Sequence, residues 1–110
     1  MDTMQFNLDN LFSYHKPKND QAAKYEALRT TFKEYARVLL ADDVGLYRGA
    51  YHQIFTLVTK LCPKSPHSEL CLEFIAKARK QRKDNKKPED IILTVHIASM
   101  LACASVAIYE

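Results

Sequence analysis

Residues 12–40 read FSYHKPKNDQAAKYEALRTTFKEYARVLL, and this stretch decides the fold class of the chain. Its second half carries apolar and aromatic side chains at spacings of three and four residues: Tyr25, Leu28, Phe32, Tyr35 and Leu39. That spacing places them on one stripe of an α-helix. The first half is aromatic and basic, and Pro17 disfavours helix at the residue before it. The stretch predicts a short N-terminal arm, residues 1–18, followed by an amphipathic helix capped by Asn19 or Asp20.

The helical period continues beyond this stretch. After an interruption at residues 42–45 it returns one residue out of phase, at Tyr47, Ala50, Ile54, Leu57 and Leu61. Either the first helix kinks at the interruption or a new helix begins there. Residues 62–66, CPKSP, end the segment, and Ser65 can cap a further helix with Pro66 at its first position. We expect the apolar face of that helix to consist of Leu70, Phe74, Ile75 and Ala78.

The C-terminal third combines a basic run with an uncharged helix. Residues 77–87, KARKQRKDNKK, hold seven Lys or Arg residues against one Asp. Pro88, Glu89 and Asp90 then form a favourable helix start, since acids suit the positive end of the helix dipole. The last helix is predicted over about residues 91–109. The chain is therefore predicted to be all-α: one domain with a short arm and a bundle of about four helices.

Composition limits the classes of protein that need to be considered. The 110 residues are 47% apolar and 26% charged, which is typical of a folded soluble domain. So short a domain buries little surface, and oligomerisation would help it. A net charge of +3 does not indicate a protein that tracks DNA or RNA polymers. Three cysteines without a CxxC pair, and residues 1–11 without a signal-peptide pattern, favour a reducing intracellular setting.

The terminal helix admits two interpretations. Nineteen uncharged residues behind a basic flank are also typical of a membrane tail anchor. Against that, Thr94, His96, Ser99 and Ser105 weaken its transfer into lipid, and a helix that is apolar all round is equally expected at the centre of a bundle or an oligomer. We favour the buried helix, because its small residues would allow close helix packing.

The sequence contains no pattern typical of catalysis. There is no serine elbow, no HExxH and no evident carboxylate pair, so an enzyme is not expected. Cys62, His67 and Cys71 lack a fourth ligand and sit among prolines, which disfavours a metal site. No cofactor is expected either.

The arm is the feature that suggests a ligand. Phe12, Tyr14 and His15 stand close together, with Lys16 and Lys18 after them, and Arg29 and Lys33 lie one turn apart on the following helix. Aromatic rings stack on bases, and arginine can grip a phosphate with two parallel bonds. The arm aromatics could equally serve only to pin the arm to the bundle. The basic run 77–87 could contact phosphates too, although a solvated helix end is the commoner explanation of such a run.

Four pieces of the sequence, in this order, resemble a known family. They are Phe12-Ser13-Tyr14-His15-Lys16-Pro17, Gln21 with Tyr25-Glu26-Ala27-Leu28-Arg29, the turn Cys62-Pro63-x-Ser65, and residues 98–107, ASMLACASVA. The chain resembles the small phage-encoded anti-CBASS sponge proteins, which sequester the cyclic oligonucleotides of a bacterial defence system.

The resemblance implies an all-helical homo-oligomer, a hexamer, in the cytoplasm of the infected bacterial host. It implies no catalysis, binding of cyclic dinucleotides such as cyclic GMP-AMP between protomers, and binding of cyclic trinucleotides elsewhere in the assembly. By position, the base-stacking tyrosine would be Tyr14, and the ligand-contacting basic residue and threonine would be Arg29 and Thr31. Phe12, His15 and Lys33 complete the predicted ligand-binding set.

Two departures limit the resemblance to about half of the chain. This chain is longer than the family pattern, and we interpret the excess, within residues 42–90, as an added or lengthened helical hairpin. Leu101 and Cys103 stand where the family commonly has Trp and Asn. A helical protein-interaction module and a tail-anchored membrane protein remain the alternative functions.

Overall fold

The computed structural model describes the backbone of residues 21–41 and 44–109 and the side chains of 21–41 and 48–109. This part of the chain forms four helices and no strand: α1 (Ala22–Leu40), α2 (Val44–Leu61), α3 (Pro66–Lys83) and α4 (Pro88–Tyr109). The predicted all-α bundle of about four helices is confirmed.

The helices pack as a ring in which each contacts the next, and α4 closes the ring against α1. Short connections make successive helices antiparallel. The start of α1 and the 62–65 turn consequently lie beside the end of α4, where Gln21 Nε2 donates a hydrogen bond to the Val106 carbonyl at 3.2 Å. We call this the motif end. The opposite end, where the Arg82 guanidinium donates to the Ala41 carbonyl at 3.2 Å, is called the basic end.

Helix α1 follows the predicted stripe. Tyr25, Leu28, Phe32, Tyr35 and Leu39 are all buried, with Ala36 beside them. The predicted caps, Asn19 and Asp20, lie outside the described residues; Gln21 directly precedes the α-helix, and its side chain makes no capping bond. At the other end Ala41 is extended, so α2 is a new helix rather than a kinked continuation of α1.

The predicted apolar faces of α2 and α3 are confirmed in part. On α2, Ile54 and Val58 are buried at the centre, whereas Leu57 and Leu61 lie at the edge of the core. On α3, Leu70 is exposed, and the buried side chains are Cys71, Ile75 and Ala78. Ile75 and Ala78 lie on the buried face as predicted, and Phe74 packs at its edge. Cys71 takes the place of Leu70, because spacings of four and three residues put Cys71 in line with Ile75 and Ala78.

The start of α3 confirms the predicted cap. The Ser65 hydroxyl accepts from the backbone N–H of Ser68 at 3.1 Å, and the Ser68 hydroxyl accepts from the backbone N–H of Ser65 at 2.9 Å. Pro66 occupies the first turn of the helix. This reciprocal arrangement satisfies two backbone donors at once.

Helix α3 ends at a turn that contains a left-handed residue. Asn85 has φ 58°, the Asn85 N–H bonds the Arg82 carbonyl at 3.1 Å, and the Lys86 N–H bonds the Gln81 carbonyl at 2.9 Å. These two bonds form a Schellman motif with asparagine at the position that glycine usually occupies. The turn leads directly into α4, whose first turn contains Glu89 and Asp90 as predicted.

Helix α4 was expected at the centre of a bundle or an oligomer, and within the single described chain it is covered on one face. One face packs on α1 and α3 and buries ten residues, including Val95, Ala98 and Ala102. The other face leaves Leu93 57% and Met100 46% exposed. The helix therefore occupies a corner of the bundle, because only two neighbouring helices cover it.

Candidate functional site

The predicted ligand-binding residues divide into two groups. Phe12, Tyr14 and His15 lie outside the described residues, so their placement stays a prediction. Arg29, Thr31 and Lys33 lie on α1, and each is partly buried.

Arg29 faces α4. Its side chain is only 16% exposed and forms an ion pair with the exposed carboxylate of Glu26, three residues earlier on α1. It also lies near Cys103 of α4, where its positive charge opposes the rise in the thiol pKa that burial causes. Lys33 follows one turn later on the same side of the helix. The structure therefore brings these two predicted cations together.

Thr31 lies on the other flank of α1. Two residues along a helix correspond to a rotation of about 200°, so Thr31 points away from Arg29. It lines a cleft of about 180 Å³ against α2, with Glu34, Ala50 and Gln53. Within one chain, Arg29 and Thr31 are not brought to a common site.

The Thr31 flank contains polar residues that the sequence analysis did not select. A second cleft there, of about 420 Å³, is lined by Thr31, His52, Gln53, Thr56 and Lys60. The signal was available in the sequence, since Gln53, Thr56 and Lys60 recur at spacings of three and four on the polar side of α2. These side chains offer hydrogen-bond donors and one cation next to Thr31.

The motif end brings together the described pieces of the family resemblance. Gln21 binds the Val106 carbonyl, and the Tyr25 hydroxyl donates to Gln21 Oε1 at 3.1 Å. The first residues of α1 are thereby attached to the last turns of α4.

The 62–65 turn is attached to the same part of α4. The Ser105 hydroxyl donates to the Pro63 carbonyl at 3.0 Å and lies 3.2 Å from the Ser65 hydroxyl. Cys62 Sγ lies 3.6 Å from the Ala102 carbonyl. The Cys-Pro-x-Ser turn and the alanine-rich motif are therefore complementary parts of one packed junction, which gives both of them a structural role.

The three thiols form no disulfide and are buried, and they lie close enough to influence one another's pKa. Burial, with a smaller contribution from Cys62, raises the pKa of Cys103 to about 12. Burial also raises the pKa of Cys71 far above its usual range, with smaller contributions from Cys62 and Cys103. A protonated thiol is a poor nucleophile and a poor metal ligand, so the cluster acts as apolar core. No group of three metal-ligating side chains occurs among residues 21–41 and 48–109.

The basic run is only partly a solvated helix end. The Arg79 guanidinium lies 4.6 Å from the centroid of the Tyr51 ring, and Arg82 donates to the Ala41 carbonyl. Lys77 Nζ lies 5.4 Å from the Phe74 ring centroid, and Lys80 pairs with Asp84 at 3.0 Å. Two arginines of the run thus join α3 to α1 and α2, which spacing along the sequence does not reveal.

Helix α4 is long and apolar enough to cross a membrane by length and composition, with a mean hydropathy of 2.2 over its most apolar window. In the structure 56% of that window is buried inside the bundle. A core helix of a globular protein meets the same criteria.

Comparison with protein-family models, curated proteins and solved structures returned no match for this chain.

Proposed function

We propose that the protein binds cyclic dinucleotides without altering them and so blocks CBASS signalling in the cytoplasm of an infected bacterium. The observation that carries the proposal is the junction at the motif end. Separate pieces of the family resemblance, at Gln21, residues 62–65 and Ser105, converge there in one place, where the arm that carries Tyr14 joins α1. Arg29 follows about 12 Å along the helix axis.

Arg29 has the chemistry that a phosphodiester requires. Its guanidinium already has a carboxylate beside it, but Glu26 is 68% exposed. Because the Glu26 side chain is largely in solvent, a ligand phosphate can replace its carboxylate without leaving that carboxylate buried and unpaired. The replacement would form a charge-assisted and bidentate contact. Tyr14 would stack on one base, and Lys33 would add a second positive charge.

The opposite placement of Arg29 and Thr31 supports a site between subunits. A ligand that meets both residues has to contact Arg29 of one chain and Thr31 of another. Exposed apolar residues on α4 support assembly independently, since about half or more of each of Leu93, Met100 and Ile108 remains exposed within the described chain. A homo-oligomer, for which the resemblance implies a hexamer, would supply both the cover and the composite site.

Calorimetric titration with a panel of cyclic di- and trinucleotides, including cyclic GMP-AMP, tests the proposal. A sponge must keep the free concentration of its ligand below the concentration that activates the effector. We therefore expect at least one dinucleotide to bind with Kd below about 10 μM, or about −7 kcal/mol. Weaker binding of every member of the panel would contradict the proposal.

A second experiment distinguishes sequestration from catalysis. The protein is incubated with the bound dinucleotide, then denatured by heat, and the released ligand is analysed by chromatography. We expect the ligand to return intact. A linear or hydrolysed product would identify an enzyme instead.

The alternatives rest on other parts of the molecule. A protein-interaction module would use the basic end against an acidic partner, and a tail-anchored protein would place α4 in lipid. Binding of a cyclic dinucleotide argues against the first as the main function. Solubility of the protein at high concentration in detergent-free buffer argues against the tail-anchored protein.

A further inference from the structure

The groove between α2 and α3 at the basic end has the features of an anion site. It encloses about 410 Å³ and is lined by Tyr51, Ala76, Arg79, Lys80, Lys83 and Asp84. A groove of this size accommodates a small molecule. It lies on helices that carry none of the residues used in the proposed function.

Arg79 is held in place by an aromatic ring rather than by an acid. Its guanidinium lies 4.6 Å from the centroid of the Tyr51 ring, and its Nε is buried without an acceptor among the described residues. Contact with the ring restricts the guanidinium without using its N–H groups as donors. A guanidinium held this way keeps donors for a bidentate contact with an oxyanion.

The charge balance of the groove is positive. Lys80 Nζ pairs with Asp84 at 3.0 Å, and these two charges compensate each other. Arg79 and Lys83 have no carboxylate partner within the described part of the chain. As far as the described residues extend, the groove therefore contains two cations without an acidic partner, on successive turns of α3, a spacing that suits neighbouring anionic groups on one ligand.

We propose that this groove binds a small anion with two adjacent phosphoryl groups, as in pyrophosphate or the polyphosphate chain of a nucleotide. Arg79 contacts one phosphoryl group with two parallel bonds, and Lys83 neutralises the other. Phosphoryl groups are favoured over a flat base because Arg79 already covers one face of the Tyr51 ring. The small side chain of Ala76 leaves space in the groove lining.

Titration of the full chain with inorganic pyrophosphate, at about 50 mM salt so that exposed charges are not fully screened, tests the proposal. ATP and inorganic sulfate form the other arms. We expect saturable binding of pyrophosphate, and weaker binding of sulfate because it offers a single anionic centre. Binding of ATP as tight as that of pyrophosphate identifies the polyphosphate chain as the recognised group, whereas much tighter binding of ATP means that the base is read too and overturns the preference for phosphoryl groups. No saturation by about 5 mM pyrophosphate overturns the whole proposal.

Variants with matched charge locate the site. Arg79→Lys keeps the positive charge but loses the two parallel N–H donors of the guanidinium, and we expect it to weaken pyrophosphate binding about tenfold. We expect Lys83→Gln to weaken pyrophosphate binding severalfold. Because Lys83 is exposed, this variant should fold normally and still tests the site if the Arg79 variants fold poorly. Lys77→Gln is the control, because Lys77 lies on the same helix over Phe74 and outside the groove. Equal losses for Lys77→Gln and Lys83→Gln would mean diffuse attraction and would overturn the site, as would binding of a single-stranded oligonucleotide in place of pyrophosphate.

Discussion

At the scale of single residues, two arginines of α1 each pair with a glutamate at the same spacing, but their surroundings differ. Arg29 pairs with Glu26, and Arg37 pairs with Glu34, each three residues back along the helix. Arg29 is 16% exposed beside α4, whereas Arg37 is 56% exposed. Local spacing is identical, so any functional difference between them comes from the packed surroundings. This makes Arg37 a matched control for Arg29.

Arg29→Ala should weaken cyclic dinucleotide binding by about 1 to 3 kcal/mol, the cost of one charge-assisted contact. Arg37→Ala should change it by less than about 0.5 kcal/mol, since an exposed helix pair contributes little. Calorimetry measures both, and circular dichroism verifies that both variants keep their helices. Equal effects of the two substitutions would remove Arg29 from the site.

Tyr14→Ala tests the arm in the same way. If the ring stacks on a base, the variant should lose about 1 to 3 kcal/mol of dinucleotide affinity while its melting temperature stays close to that of the parent. Tyr14→Phe keeps the ring and should retain the affinity. An unchanged affinity in Tyr14→Ala, or a lower melting temperature alone, would show that the arm is purely structural.

Cys71 and Cys103 should resist thiol reagents in the native protein. Labelling requires the thiolate, and burial holds the pKa of Cys103 at about 12 and raises that of Cys71 further. At about pH 9 an exposed thiol, whose pKa is about 8.5, is mostly thiolate, whereas a thiol with the pKa of Cys103 is still almost wholly protonated, so native labelling should remain much slower than that of an exposed thiol even at this pH. Mass spectrometry should find all three thiols labelled in denaturant. Rapid native labelling at neutral pH would contradict this assignment.

At the scale of elements, the turn between α3 and α4 shows how local chemistry fixes a helix end. Asn85 adopts φ 58°, and its neighbours satisfy the last carbonyls of α3 at Gln81 and Arg82. Asparagine tolerates this conformation better than most residues, although glycine adopts it without steric cost. The hairpin of α3 and α4 has the most extensive contact between any two helices of the described chain.

Asn85→Gly should leave the unfolding free energy unchanged or raise it by up to about 1 kcal/mol, whereas Asn85→Val should lower it by about 1 to 2 kcal/mol. Urea denaturation measures both variants. Gln81→Ala, which keeps the backbone carbonyl that the turn uses, controls for side-chain effects nearby. Equal stability of the glycine and valine variants would show that the turn adjusts without strain.

The middle of the chain is an integral element of the fold. The buried cluster includes Ile54 and Val58 of α2 and Cys71 and Ile75 of α3 together with residues of α1 and α4. Residues 42–90, interpreted from the resemblance as an addition, therefore supply half of the bundle. The comparison with the family remains a prediction, but removal of this region would expose the core.

At the scale of the whole molecule, one apolar surface remains uncovered in the single described chain. Leu93, Ile97, Met100, Ala104 and Ala107 follow one another on α4 at spacings of four and three residues, the repeat with which helices pack side by side. Leu93 is 57% exposed, and Ile108 next to this row is 61% exposed. A second copy of the chain is the occupant that the proposed site between subunits requires.

Met100→Glu should dissociate the assembly, because a carboxylate in an apolar contact between helices is strongly unfavourable. Sedimentation velocity of the parent should show a species well above 12.7 kDa, and the variant should approach that mass. Leu70→Glu, at a comparably exposed apolar residue of α3, should keep the parent's mass. A monomeric parent, or dissociation by Leu70→Glu alone, would exclude this face as the subunit contact.

The sequence by itself determined the helix ends at Ser65, Pro66 and Pro88 and the buried stripe of α1, and it left open whether α1 and α2 are one kinked helix or two. Each follows from local rules: residue spacing sets the angle around a helix axis, and caps and prolines set its ends. The same rules selected the cations Arg29 and Lys33 for one side of α1, since they are four residues apart.

Only the tertiary structure decided which neighbour covers each face. Helix α4 is apolar on all sides, so its sequence alone does not show which face packs against the bundle. Only the structure shows that Leu93 and Met100 face outward while Val95 and Ala98 face inward. Nor could spacing place Thr31 against α2, away from Arg29, or Arg79 over Tyr51. These contacts join residues far apart in the chain, and burial depends on the positions of two helices at once.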